Sequence, residues 1–79
     1  MYYVYIIKSL KFPNKKYIGI TTNIKTRLYY HNNSLSIHTS KFRPWILDVC
    51  LIFKDKNKAV NFEKYLKSGS GRAFSKNHL

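Results

Sequence analysis

The chain has 79 residues, 44% of them hydrophobic and 16% aromatic, a composition that excludes wholesale disorder and predicts one small domain. Fifteen Lys and Arg stand against three acids, a formal charge of +12 that suits a polyanionic partner such as nucleic acid. The single cysteine, Cys50, excludes an internal disulfide, and no run approaches the ~18 apolar residues of a spanning helix. With no signal-peptide pattern at its start, the protein is expected to be cytoplasmic, without a membrane partner.

Tyr2 to Ile7 is β-branched and aromatic throughout, which predicts a central strand covered on both faces. Pro13-Asn14 marks a turn, and Lys16 to Ile20 is a second, short strand, so the pair forms a hairpin. Gly19 weakens that strand unless something approaches its backbone. Thr21 or Thr22 is placed to cap a helix running to about Asn33, in which Ile24, Leu28 and His31 recur at helical spacing. Ser34 to Lys41 is polar and irregular, and Arg43-Pro44 prevents helix from continuing. Trp45 to Phe53 is a third strand, apolar on both faces except at Asp48, with Cys50 expected as a buried thiol.

Asp55 is suited to cap a second long helix, Lys56 to about Ser68, with Ala59, Phe62, Glu63 and Leu66 inward. Gly69-Ser70-Gly71 is expected to end it through a left-handed glycine, and Arg72 to Leu79 to add a short turn of helix that packs Phe74 back. The order β-β-α-β-α-α predicts an α+β domain: a three-stranded antiparallel sheet packed with two main helices and a short C-terminal helix.

The chemistry is concentrated in few residues. Glu63 alone among the acids lies on an apolar helical stripe, where a carboxylate is costly unless paired, hydrogen-bonded or bound to a metal. A salt bridge to one of the many cations is the plain alternative. Arg27 and His31 are one turn apart on the first helix, either a phosphate-gripping pair or part of its solvated edge. No His or Cys spacing matches a structural zinc site. Tyr3, Tyr5 and Ile7 share one strand face, and Tyr17 stands two residues before Gly19 on the partner strand.

Taken in order, Tyr3-Val4-Tyr5, Tyr17-Ile18-Gly19, Arg27 with His31 after it, and Glu63 followed by Lys64-Tyr65-Leu66-Lys67-Ser68 resemble the GIY-YIG endonuclease family over essentially the whole chain. The likeness is to small stand-alone bacterial members, related to the nuclease domain of the repair excinuclease. Tyr3 departs from the family's glycine, Ile20 replaces a common Lys, and Asn77 is at most a loose counterpart of a C-terminal Asn. The resemblance implies endonuclease hydrolysis of DNA phosphodiester bonds, structure-selective and linked to repair or recombination. It implies Mg²⁺ or Mn²⁺ held by Glu63, with no small-molecule cofactor. By the same resemblance Tyr17 is the general base, Tyr5 hydrogen-bonds nearby, Arg27 stabilises phosphate charge and His31 orients water or tyrosine. A tyrosine normally ionises near 10, so the base role needs positive surroundings. Gly19, Lys25, Arg27, Lys67 and Arg72 are the expected nucleic-acid contacts. The rival expectation is a catalytically inactive nucleic-acid-binding domain of the same fold.

Overall fold

A computed structural model describes residues 1–33 and 37–79. Its elements are β1 (Tyr2–Ser9), β2 (Lys16–Thr21), α1 (Ile24–Asn32), a 3-10 turn (Ser40–Phe42), β3 (Trp45–Phe53), α2 (Lys56–Leu66) and α3 (Gly69–His78). The expected α+β order and the antiparallel three-stranded sheet are both present. The expected irregular stretch from Ser34 falls partly on 34–36, outside the described residues.

The strand order is β2-β1-β3, so β1 is central as its unbroken apolar run requires. Val4, Tyr5, Ile6 and Ile7 are all buried. Alternation divides them between two cores. Val4 and Ile6 meet Ala59 and Leu66 of α2, with Phe62 and Phe74 packed around them. Tyr5 and Ile7 face the other way, onto Trp45 and the α1 residues Ile24 and Leu28. The sheet therefore lies between α1 on one face and the α2–α3 pair on the other.

The hairpin turns at Phe12 to Lys15, where the Lys15 amide donates to the Phe12 carbonyl at 2.8 Å. Against β3 the register slips between Ile6 and Ile7: Ile6 pairs with Val49 but Ile7 with Leu47. Asp48 is the extra residue of this bulge, and its carboxylate meets Lys16 at 3.3 Å. Although β3 is apolar on both faces as expected, it is not covered on both. Ile46, Leu47 and Ile52 are 39%, 41% and 61% exposed, because an edge strand of a three-stranded sheet extends beyond the cover of the helices. Cys50 is accordingly only half-buried.

The helix boundaries correct three further expectations. Asn23, not Thr21 or Thr22, caps α1, its Oδ1 accepting from the Thr26 amide at 3.1 Å. Thr21 is committed to the sheet opposite Tyr3, and its hydroxyl accepts from the Asn23 amide at 3.1 Å, setting the cap residue. Asp55 does cap α2, through the Asn57 amide at 3.1 Å. But α2 stops at Leu66 without a left-handed glycine, and no described glycine has positive φ. Ser68 makes one unnecessary: its hydroxyl donates to the Tyr65 carbonyl at 2.6 Å and accepts from the Gly71 amide at 3.1 Å, closing α2 and capping α3. Gly69 and Gly71 thus open α3, which at ten residues is longer than the nine of α1.

Gly71 is buried where α3 leaves α2, and an added Cβ would meet the Tyr65 carbonyl, rigid backbone that cannot swing aside. At Gly69 nothing lies within 4 Å. Gly71→Ala is therefore expected to cost about 1–3 kcal/mol or more by overpacking, whereas Gly69→Ala should be neutral or stabilising by no more than about 1 kcal/mol. Urea unfolding of the two variants checks this, and equal midpoints would mean that α3 does not dock as described.

Candidate active site

Pairing places Tyr5 opposite Gly19 and Tyr17 opposite Ile7, so both tyrosines project from neighbouring strands onto the α1 face. The absent side chain of Gly19 is what admits Tyr5. A Cβ there would run into the phenol, lying only 2.9 Å from its Cε1 and closer to its hydroxyl. Gly19 is itself buried, which corrects its expected role as a nucleic-acid contact: the close approach it permits is by Tyr5.

The Tyr5 hydroxyl lies 2.9 Å from His31 Nε2, and His31 Nδ1 lies 2.8 Å from the Thr39 hydroxyl. Thr39 is held in turn, since its carbonyl accepts from the Trp45 indole N–H at 2.8 Å. Asn32, next along α1, clamps the same residue, accepting from the Trp45 amide at 2.5 Å and donating to its carbonyl at 2.9 Å. His31, at 2% exposure, is thus not on a solvated helix edge. The Tyr17 ring centroid is 4.9 Å from that of His31 and 6.5 Å from that of Tyr5. Tyr17 stays part-exposed, so the cluster is closed at its base and open at one phenol.

Burial pushes the Tyr5 phenol well above its ordinary range; the adjacent Tyr17 and the Glu63 carboxylate reinforce the rise, and Arg27 opposes it. Burial also lowers His31, with the Arg27 cation adding to the effect. Both groups are therefore neutral near pH 7. A neutral imidazole has one donor and one acceptor, so the Tyr5–His31–Thr39 chain runs head to tail, in either of two senses. Burial likewise raises the Cys50 thiol, which argues against a nucleophilic role there.

Arg27 precedes His31 by one turn, its guanidinium 5.3 Å from the Tyr30 ring centroid. It lines a small hollow with Thr21, Thr22 and Asn23. Glu63 comes from α2, across the sheet from α1, yet its charge reaches the Tyr5 phenol. Its carboxylate accepts from Lys67 Nζ at 2.9 Å, and its side chain is only 16% exposed. Of the expected site residues, Tyr5, Tyr17 and His31 are in mutual contact, while Arg27 and Glu63 are joined to Tyr5 electrostatically. Lys67 and Arg72 line a groove that Tyr17 also borders, and Lys25 is exposed on α1 outside it. Thr39, Asn32 and Trp45 were not expected in the site. A threonine in a polar loop carries no sequence signal for such a contact.

The GIY-YIG catalytic domain matches residues 1–77 of this chain. The structure-specific endonuclease subunit SLX1 of Debaryomyces hansenii is 40% identical over 74 residues, covering 84% of this chain and 21% of that protein. The protein of the same name from Malassezia globosa is 37% identical over 67 residues, covering 80% and 15%. That from Candida dubliniensis is 38% identical over 73 residues, covering 84% and 26%. The chain thus spans between 15% and 26% of the length of these relatives. All three are fungal and far longer, unlike the small bacterial proteins expected from the sequence.

Removing the Thr39 hydroxyl leaves a buried imidazole nitrogen without its partner. Thr39→Val is expected to cost about 1–3 kcal/mol, and Thr39→Ser much less. The depressed His31 fixes the sign of a pH effect. Below about 6.5 the unfolded chain takes up a proton that the fold refuses, so stability falls on acidification and levels off below the folded value. Above about 6.5 His31 contributes no slope. Melting curves at pH 7.5, 6.5 and 5.5 test this (about one pH unit per step) against His31→Gln. Stability that rises on acidification in the parent alone would mean a charged imidazole in the fold.

Proposed function

This chain belongs to the GIY-YIG catalytic-domain family, and we propose from that premise that it is the nuclease portion of a structure-specific DNA endonuclease. The observation that carries the proposal is the buried Tyr5–His31–Thr39 chain with the open Tyr17 ring against His31. Burying those polar groups is costly for so small a domain, and the outcome is a part-exposed Tyr17 ring packed against His31. The charge of +12 supports a polyanionic substrate. The relatives' name makes each of them a subunit, and we extend a protein partner to this chain on that basis.

Tyr17 is the residue proposed to take the proton from the attacking water, a step that requires its phenolate form, since it is part-exposed while Tyr5 is buried and already bonded to His31. Water oxygen then bonds to phosphorus, the phosphorus–oxygen bond to the leaving strand breaks, and that oxygen is protonated from solvent. Tyr5 and His31 hold Tyr17 in place. Arg27 meets the negative charge that grows on the phosphoryl oxygens, a role for which preorganised cations are effective.

Among the described residues no three His, Cys, Asp or Glu side chains gather as a metal cage. The part-exposed Glu63 carboxylate is a single hard oxygen donor, suited to a hard cation which keeps waters and substrate oxygens as its other ligands, and Glu63 would hold it. Bound there, Mg²⁺ or Mn²⁺ would supply Lewis-acid polarisation of the scissile phosphate. The second reading, an inactive DNA-binding domain, is favoured by one observation: Glu63 already has a partner in Lys67.

Cleavage of flap, branched and duplex DNA with and without Mg²⁺ or Mn²⁺ separates the two readings. Glu63→Gln is expected to stay folded, still bind DNA and lose cleavage, whereas Tyr17→Phe should lower the rate by about 10²–10⁴. Undiminished cleavage by folded Glu63→Gln protein would end the metal-ligand role. Binding should also fall by about 10³–10⁵ between roughly 50 and 200 mM salt if six to ten phosphates are contacted. A flat salt response would remove DNA as the partner.

A further inference from the structure

A groove of about 740 Å³ runs along the outer edge of β2, between the hairpin and α3, and reaches Tyr17 at one end. Its rims carry Lys16, Lys67, Arg72 and Lys76, and no acid among the described residues lines it. Lys16 and Lys67 each share a carboxylate, with Asp48 and Glu63, while Arg72 and Lys76 have no ion pair among the described residues. The floor is different: half-buried Ile18 and exposed Leu79, at the α3 end, contribute apolar surface over the buried Leu66.

From this combination we infer that the groove binds one unpaired DNA strand of a branched substrate, leading it to or from the phosphate at Tyr17. The inference rests on the endonuclease reading above and adds the form of the substrate. Cationic rims over an apolar floor match a strand whose bases are unstacked, because such a strand presents phosphates and base faces together. A duplex presents phosphates outside and keeps its base faces stacked within, so it has no base face to place on Ile18 and Leu79.

Helix geometry sets the register of the contacts. Arg72 and Lys76 are four residues apart on α3, which places them about 6 Å apart along one rim. Stacked nucleotides advance about 3.4 Å along the axis, and unstacking lets the chain extend beyond that. Cations at this spacing are suited to neighbouring phosphates of an extended strand. Lys16 faces them from the hairpin rim.

The test is fluorescence anisotropy on the whole chain with labelled dT10, rU10 and a blunt 20-base-pair duplex at several salt concentrations. The proteins compared are the parent, Arg72→Gln/Lys76→Gln, and the charge-matched control Lys54→Gln/Lys58→Gln, whose lysines are exposed outside the groove. The groove variant is expected to bind dT10 at least tenfold more weakly, with a salt slope smaller by about 1.4 for two lost phosphate contacts. The control should stay within about twofold for dT10, as should the groove variant for the duplex. Equal losses in groove and control variants, equal losses on dT10 and duplex, or a firmer hold on rU10 than on dT10 would each overturn the proposal. Cleavage is scored separately on a flap substrate. A groove effect without any cleavage by the parent would retain the strand site and sink the nuclease reading; cleavage with unaltered dT10 binding would do the reverse.

Discussion

Burying a phenol and an imidazole in a 79-residue domain strands polar atoms that must be satisfied without water, and one chain of contacts does this here. Tyr5 reaches His31, His31 reaches Thr39, and Thr39 is fixed through its carbonyl by Trp45. No buried side-chain nitrogen or oxygen among the described residues lacks a partner. Much of the fold follows from keeping that chain intact. Gly19 must lack a side chain so that Tyr5 can lie over it. Helix α1 must present His31 to the sheet, and Asn32 ties α1 to the start of β3 through both backbone groups of Trp45.

The two faces of β1 divide the work. On one face Val4 and Ile6 meet Ala59 and Leu66 in a wholly apolar cluster, where burial is favourable at about 25 cal/mol per Å² and nothing needs a hydrogen bond. On the other face Tyr5 carries polarity into the interior, at a cost that the first face helps to offset. Because neighbouring residues on a strand point to opposite faces, a one-residue slip of register would exchange the two sets. The bulge at Asp48 is placed on the edge strand, where it disturbs β3 and leaves the alternation of β1 undisturbed.

The sequence made legible what depends on local pattern. The apolar run of β1, the hairpin turn at Pro13-Asn14 and the Asp55 cap each follow from residues close together in the chain. The order of Tyr5, Tyr17, Arg27, His31 and Glu63 was equally visible, as was the β-β-α-β-α-α succession. What escaped were choices between near-equivalent local solutions. Asn23 and the two preceding threonines can all cap a helix, and only sheet pairing of Thr21 decides among them. Ser68 supplanted a glycine ending because one hydroxyl could serve both helices. Thr39 was invisible because its importance comes from His31, eight positions earlier, and from a turn whose path no periodicity encodes. The exposure of β3 depended on which strand took the sheet edge, a property of the whole topology.

The Glu63–Lys67 pair links the two halves of the functional reading. It is an i,i+4 pair with Glu preceding Lys, the favourable order on a helix, but its lysine end is 51% exposed. An exposed pair of this kind is worth about 0–1 kcal/mol, little resistance to a divalent cation or a phosphate. Lys67 also lies on the rim of the groove that reaches Tyr17. One flexible ammonium therefore stands between a carboxylate suited to a hard cation and a channel suited to an anionic strand. On the proposed reading Glu63 would hold the cation, and the Lys67 ammonium, no longer its partner, would be available to phosphates on that rim. The charge that covers the carboxylate in the free protein would then belong to the surface proposed to hold the substrate.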